Sequence, residues 1–215
     1  MPSFDPDQAI AREDMCRYLA ACFYEPAAEF AEEKLFDSLV NAAQRVDPAL
    51  AAVALRLRDS FATQALEELL VDHARLFLGP AEPLAKPYGS CWLVEAATGD
   101  APPDILETYR AGGFEVDDEL RDLPDHVAVE LEFLYLTLFR RHEAQHSGNA
   151  EALREITGLQ RRFLSQHLGA WIVPFTDAVK ANAQTAFYRD AALLAERFVA
   201  MIAADHASAA PTSLQ

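Results

Sequence analysis

Basic residues are scarce in this chain. Eighteen lysines and arginines stand against thirty-four aspartates and glutamates, for a formal charge of −16. Phosphate backbones and anionic headgroups attract Lys and Arg, so this balance argues against nucleic acid or an acidic membrane as partner and favours a basic one. Acidity also keeps a protein soluble, which is its commoner reason. Cysteine is sparse: Cys16, Cys22 and Cys91 form no Cys-x-x-Cys pair, the pattern of reduced thiols in a cytosolic protein. No apolar run approaches the roughly 20 residues that span a bilayer, so the chain is not expected to be membrane-embedded. Its first residues lack the basic-then-apolar layout of a secretory signal. The expected location is the cytoplasm.

Alternating strand patterns are nearly absent, and no segment repeats at a fixed period. What is present is helical periodicity. The 215 residues, 51% of them hydrophobic, suffice for one sizeable core or two small subdomains sharing one. Helices are predicted over 7–24, 28–46, 49–61 and 64–78, with Pro26, Pro48 and Gly79-Pro80 as stops. Residues 79–113 hold five of the eight glycines and five of the twelve prolines, so an irregular connection is expected there. A short helix near 103–111, closed by Gly112-Gly113, should interrupt it. Helices return at 124–146, 150–167, 169–182 and 187–205, and the tail beyond 206 reads as disordered. The fold class is all-α: an N-terminal helical lobe (1–78), a Pro/Gly-rich connection (79–123), a C-terminal lobe (124–206) and a tail (207–215).

Enzyme signatures are missing. The chain holds no phosphate-cradling G-x-x-x-x-G-K, no G-x-G-x-x-G and no G-x-S-x-G elbow. One string fits a zinc peptidase: His142-Glu143-Ala144-Gln145-His146, where two histidines one turn apart would grip the metal and Glu143 would activate water. Its context is a polar helix end, preceded by Arg140-Arg141 and followed by Ser147-Gly148-Asn149. A catalytic zinc needs a dry, shaped cavity. The chain is read as a non-enzyme with no cofactor or metal of its own.

The helix opened by Leu123-Pro124-Asp125-His126 is the most informative segment. It is apolar on two stripes, Val127/Leu131/Leu134/Leu138 and Val129/Phe133/Leu136, which belongs at the centre of a bundle. Asp125 suits a helix cap, and Glu130 and Glu132 lie where the helix dipole favours negative charge. A second segment runs from Asp72-His73 through Leu76-Phe77-Leu78-Gly79-Pro80 to Pro87-Tyr88-Gly89-Ser90-Cys91-Trp92. Singly, Leu76 and Phe77 read as core, 87–89 as a turn, and His126 as packing.

Together these segments resemble the TorD/DmsD/NarJ family of cytoplasmic chaperones for molybdenum redox enzymes. The shared pattern is Leu-Phe and Gly-Pro, then a Pro-aromatic-Gly-Ser loop, then Leu-Pro-Asp-His opening a Leu/Glu-rich helix. Here it reads Leu76-Phe77, Gly79-Pro80, Pro87-Tyr88-Gly89-Ser90, Trp92 and Leu123 to His126, with a further likeness at Phe163 to Leu168, Trp171 and Phe175. One position departs: the family usually has an aromatic where this chain has His73. The resemblance implies a protein that binds the catalytic subunit of a molybdenum oxidoreductase, its twin-arginine signal peptide, or both, until the cofactor is inserted. Binding is expected in a groove where the 79–92 loop meets the start of the 124–146 helix. Leu76, Phe77, Pro87, Tyr88, Gly89, Ser90 and Trp92 would form its wall, with Asp125 and His126 at a polar rim and His73 near the floor. Carboxylates make charge-assisted bonds to Arg, and a groove between helices accepts an apolar helical segment. Either a monomer or a dimer exchanging halves fits the long connection. The rival is a helical adaptor without signal-peptide preference.

Overall fold

The computed structural model describes residues 5–79, 82–93, 103–114 and 123–208. The expected tail beyond 208, Pro80 and most of the 94–122 stretch lie outside the described residues.

Helix starts follow local chemistry. Asp5 accepts the backbone N–H groups of Asp7 and Gln8, with Pro6 opening α1 (Pro6–Ala21). Asp47 does the same for Ala49 before Pro48 opens α4 (Pro48–Thr63), and Asn149 caps α8 (Ala150–Gln166) through Ala152 N–H. In each case the side chain satisfies a donor that has no partner inside the helix. The helix expected over 28–46 is two, α2 (Glu29–Glu32) and α3 (Leu35–Val46), broken at Lys34 with φ 53°. Residues 31–34 are all exposed, so no packing holds that turn in line. α5 (Leu66–His73) ends in a wide turn, Ala74–Leu78, in which Gly79 N–H donates to Ala74 O five residues back at 2.7 Å. Gly79 has φ 54°, and a Cβ there would fall 2.6 Å from the Glu82 carbonyl carbon. Only glycine lets the chain leave the helix this way.

α6 (Pro103–Ala111), α7 (Val127–His146), α9 (Leu168–Asn182) and α10 (Ala186–Ser208) complete the bundle. Among the described residues there is no strand beyond a single bridge between Tyr88 and His126. The all-α class holds. The central helix is α7, buried at Val127, Ala128, Val129, Leu131, Phe133 and Leu134, each larger side chain contributing about 1.5–3 kcal/mol. α1 packs along α7, and α4 packs along α10. The elements before and after the connection therefore interleave around one continuous core. No helix among the described residues is long and apolar enough to cross a membrane.

Candidate functional site

Two segments distant in sequence meet at the start of α7. The Gly89 N–H donates to Asp125 O at 2.9 Å and the Val127 N–H to Pro87 O at 2.8 Å, the antiparallel pairing of Tyr88 with His126. A side chain reinforces the backbone: Asp125 Oδ2 accepts the Ser90 N–H at 2.8 Å. Ser90 sits in a tight turn, Gly89–Cys91, and its buried N–H would otherwise lack a partner. The carboxylate does for this turn what an N-cap does for a helix.

His126, rather than Asp125, caps α7. Its Nδ1 accepts the Ala128 N–H at 3.2 Å, which places the proton of the neutral ring on Nε2. The imidazole stacks on Tyr24 (5.9 Å between centroids, 10° between planes) and meets the edge of Tyr88 (5.3 Å, 68°). The Tyr24 hydroxyl donates to Glu132 Oε1 at 3.1 Å. Burial raises the Glu132 carboxyl above its usual range, and the bond from Tyr24 opposes that shift.

One layer down lies Glu130, 1% exposed. The Trp171 indole N–H reaches both its carboxyl oxygens at 3.2 Å. A Cβ on Gly89 would lie 2.9 Å from Trp171 Nε1 and 3.2 Å from Glu130 Oε1, so the loop backbone rests directly on this pair. The Tyr109 hydroxyl, from α6, donates to Pro124 O at 2.6 Å, and burial pushes that phenol well above its ordinary range. His167, at the α8–α9 junction, is 1% exposed. Among the described residues neither ring nitrogen has a hydrogen-bond partner; Nε2 stands 3.6 Å from Asp104 Oδ2. Burial lowers its pKa, against the pull of Asp104 and Asp125.

The structure thus brings Pro87, Tyr88, Gly89, Ser90, Asp125 and His126 together. Trp92 joins them at the side, donating its indole N–H to Lys86 O at 2.8 Å and meeting the edge of Phe175 (6.5 Å). Leu76 and Phe77, expected to wall a groove, are 0% and 3% exposed. Leu76 O accepts the Ala85 N–H at 2.9 Å, and Phe77 packs on Phe23, Phe175 and Tyr188. They support the loop from below. His73 is buried and packs edge-on to Phe77 (5.2 Å, 70°) and against Tyr188, so an imidazole fills an aromatic's place.

The polar rim expected at Asp125 and His126 is not at the surface. Asp125 is fully buried and His126 is 5% exposed, because each turns inward to satisfy a backbone donor. Each of the two segments that pair also exposes a leucine, Leu84 at 43% and Leu123 at 48%, and Leu84 lies between the exposed ion pair of Glu82 and Lys86. Sequence reasoning missed Tyr24 and the inward role of Glu130. Tyr24 is 108 residues from its partner Glu132, and no local pattern links them. For Glu130 a signal existed, an acid within an otherwise apolar helical face.

The zinc string does not assemble. His142 Nδ1 lies 2.8 Å from Glu13 Oε1 on α1, Glu143 lines a groove of about 500 Å³ with Arg140 and Arg162, and His146 is exposed. Among the described residues no three His, Cys, Asp or Glu side chains are grouped to hold a metal.

The family model described as nitrate reductase delta subunit matches residues 43–177. The chaperone protein TorD of Vibrio parahaemolyticus is 32% identical over 129 residues, 59% of each chain. That of Vibrio cholerae is 29% identical over 133 residues, 61% of this chain and 59% of its own. The alignment therefore spans only about three-fifths of these curated relatives. A crystal structure from Archaeoglobus fulgidus, described as a redox enzyme maturation protein, superposes with a TM-score of 0.50 at 16% identity, covering 88% of this chain and 93% of its own; at that identity the likeness speaks for the fold alone. With more than half its length under one family model and the paired motifs in place, the chain belongs to the nitrate reductase delta subunit family, the TorD/NarJ group.

Proposed function

We propose that this protein is a cytoplasmic maturation chaperone that binds the catalytic subunit of a molybdenum oxidoreductase, with its twin-arginine signal peptide as one contact, and holds it for cofactor insertion. The observation that carries this reading is the meeting of the two family motifs at the Tyr88–His126 pairing, in a chain whose relatives are named chaperone protein TorD. The physics suits the task. A twin-arginine peptide offers two guanidinium groups and then an apolar stretch. The exposed leucines Leu84 and Leu123 beside the pairing fit the apolar part, and a net charge of −16 favours encounter with the basic part, more weakly as salt rises.

Pull-down from a native extract tests the partner: the recovered protein should be a molybdoenzyme catalytic subunit. Recovery of unrelated proteins would favour a general helical adaptor. Calorimetry with a twin-arginine peptide tests the contact. Leu84→Ser/Leu123→Ser should weaken binding at least tenfold while leaving the unfolding midpoint in place, since both side chains already face solvent. Unchanged affinity would remove this surface from the binding site.

A further inference from the structure

The sequence of α7 is apolar on nearly every side, yet one side of the helix is left open. Helices α1, α8 and α9 pack on it, and among the described residues none of them covers Leu136 and Phe139. These two share a face with Glu132 and Tyr135, at spacings of i, i+3, i+4 and i+7. Leu136, expected in a buried stripe, is partly exposed and stays outside the core cluster; Phe139 is 37% exposed. The Tyr135 and Phe139 rings stack (6.3 Å between centroids, 24° between planes). A helix apolar all round belongs in a core, so an outward-facing aromatic pair with a leucine marks a contact surface. The face begins beside the Tyr88–His126 pairing. Glu132 accepts the hydroxyl of Tyr24, whose ring stacks on His126. That bond fixes a partly buried carboxylate, and among the described residues no cation pairs with it. The other charges along the face are balanced: Asp14 lies 3.8 Å from Arg17 on α1, and Arg140 and Glu143 line one groove beyond Phe139. Arg17 itself lies over the Tyr135 ring at 5.8 Å, so this aromatic pair already accepts a guanidinium. From the pairing outward, the face is an unbalanced carboxylate followed by two turns of apolar side chains.

We propose that this face of α7 is a seat for the twin-arginine peptide: Glu132 takes a guanidinium of the arginine pair, and Tyr135, Leu136 and Phe139 take the apolar residues that follow it. The occupant rests on the chaperone reading; the seat rests on the face itself. The order of charge and apolar surface is the same on both partners. A carboxylate and a guanidinium make a charge-assisted, often two-pronged bond, and partial burial strengthens it over the same pair in open water. Length agrees as well. Glu132 and Phe139 are two turns apart, roughly 10 Å along the helix, and a signal peptide's apolar region of about 7–15 residues covers that distance as a helix. Tyr24 is a positioning residue. Its hydroxyl holds the Glu132 carboxylate while its ring rests on the buried His126, so the Pro-Asp-His motif acts on the client through Tyr24 rather than by touching it.

The test is calorimetry of the full chain with a twin-arginine peptide and with an analogue carrying Gln-Gln in place of the pair. Leu84 and Leu123 are unchanged in every variant, so this surface is tested apart from them. Glu132→Gln, which keeps an acceptor for Tyr24, should weaken the arginine peptide about tenfold or more and leave the analogue nearly unaffected. An equal loss with both peptides, or no loss, would overturn the guanidinium contact. Phe139→Ser, at an exposed position, should weaken both peptides about fivefold with the unfolding midpoint in place; unchanged affinity would overturn the apolar seat. Tyr24→Phe, which releases the carboxylate but keeps its charge, should cost the arginine peptide less than Glu132→Gln does and spare the analogue. A loss shared by the analogue would overturn the positioning role. A benzophenone side chain placed roughly one turn after the arginines should label the 132–143 stretch of the wild-type chain. Label confined to other helices would overturn the seat whatever the variants do. A dimer that Phe139→Ser dissolves and the peptide leaves intact would give the face to a second copy, and overturn it too. If the wild-type chain binds neither peptide while pull-down still recovers a molybdoenzyme catalytic subunit, the seat falls and the chaperone reading stands. If the peptide labels α7 but no such subunit is recovered, the seat stands without that reading.

Discussion

The two ends of α7 carry two histidine motifs with opposite fates. At the N-terminal end, Pro124-Asp125-His126 is buried and tied to residues some 35 positions away. At the C-terminal end, His142-Glu143-Ala144-Gln145-His146 has a better-known spacing, yet its side chains engage α1, a groove and open solvent respectively. Spacing along one helix fixes only the angle at which side chains leave it. Whether they converge depends on what other segments bring: at the N-terminal end the 87–91 loop closes around the motif, whereas at the C-terminal end α1 brings Glu13 to His142 and leaves His146 in solvent.

That contrast can be broken by substitution. The largest effect is expected for Asp125→Ala, which leaves the buried Ser90 N–H without its acceptor and should cost about 2–3 kcal/mol in urea unfolding. A loss no larger than that of a surface substitution would mean the carboxylate does not hold the turn. Gly89→Ala follows, since its Cβ would press on the Trp171 indole nitrogen at 2.9 Å; about 2 kcal/mol of destabilisation is expected from such overpacking, read as a lowered thermal midpoint. Gly148→Ala, just past the other end of α7, meets open space and suffers only from its φ of 67°. It should cost about 1 kcal/mol, and a cost equal to that of Gly89→Ala would erase the difference between the ends. His142→Ala, which takes from the buried Glu13 carboxyl its contact with a side chain only 18% exposed, should cost about 1 kcal/mol in urea unfolding. Smallest of all, His146→Ala should leave unfolding unchanged. Stoichiometric zinc in the purified protein, lost in His142→Ala/His146→Ala, would revive the C-terminal motif as a metal site.

Much of the scaffold was legible because helices announce themselves locally. The stops at Pro26 and Pro48, and the closure at Gly112-Gly113, act through neighbours a few residues away. The short helix at 103–111 was expected on those grounds and is found as Pro103–Ala111. The break at Lys34 was not, because nothing there forbids helix; the turn lacks packing. Within the site, the loop motif and the Pro-Asp-His motif could be picked out by composition and by family likeness. Their burial could not. A capping aspartate and a rim aspartate read alike in one dimension, and the choice between helix N-cap and loop cap depended on a backbone donor at Ser90.

What the chain determines alone is its acidity, its all-helical periodicity and the placing of glycine where φ or close approach forbids a side chain, as at Gly79. These are properties of single residues and of their near neighbours. Tertiary structure decided that Asp125 faces inward, that Tyr24 and Tyr88 enclose His126, and that Glu130 is buried against the Trp171 indole. Each of those outcomes depends on which buried donors, rings and charges meet across long stretches of chain, and a desolvated carboxyl takes its character from such neighbours rather than from its own sequence position.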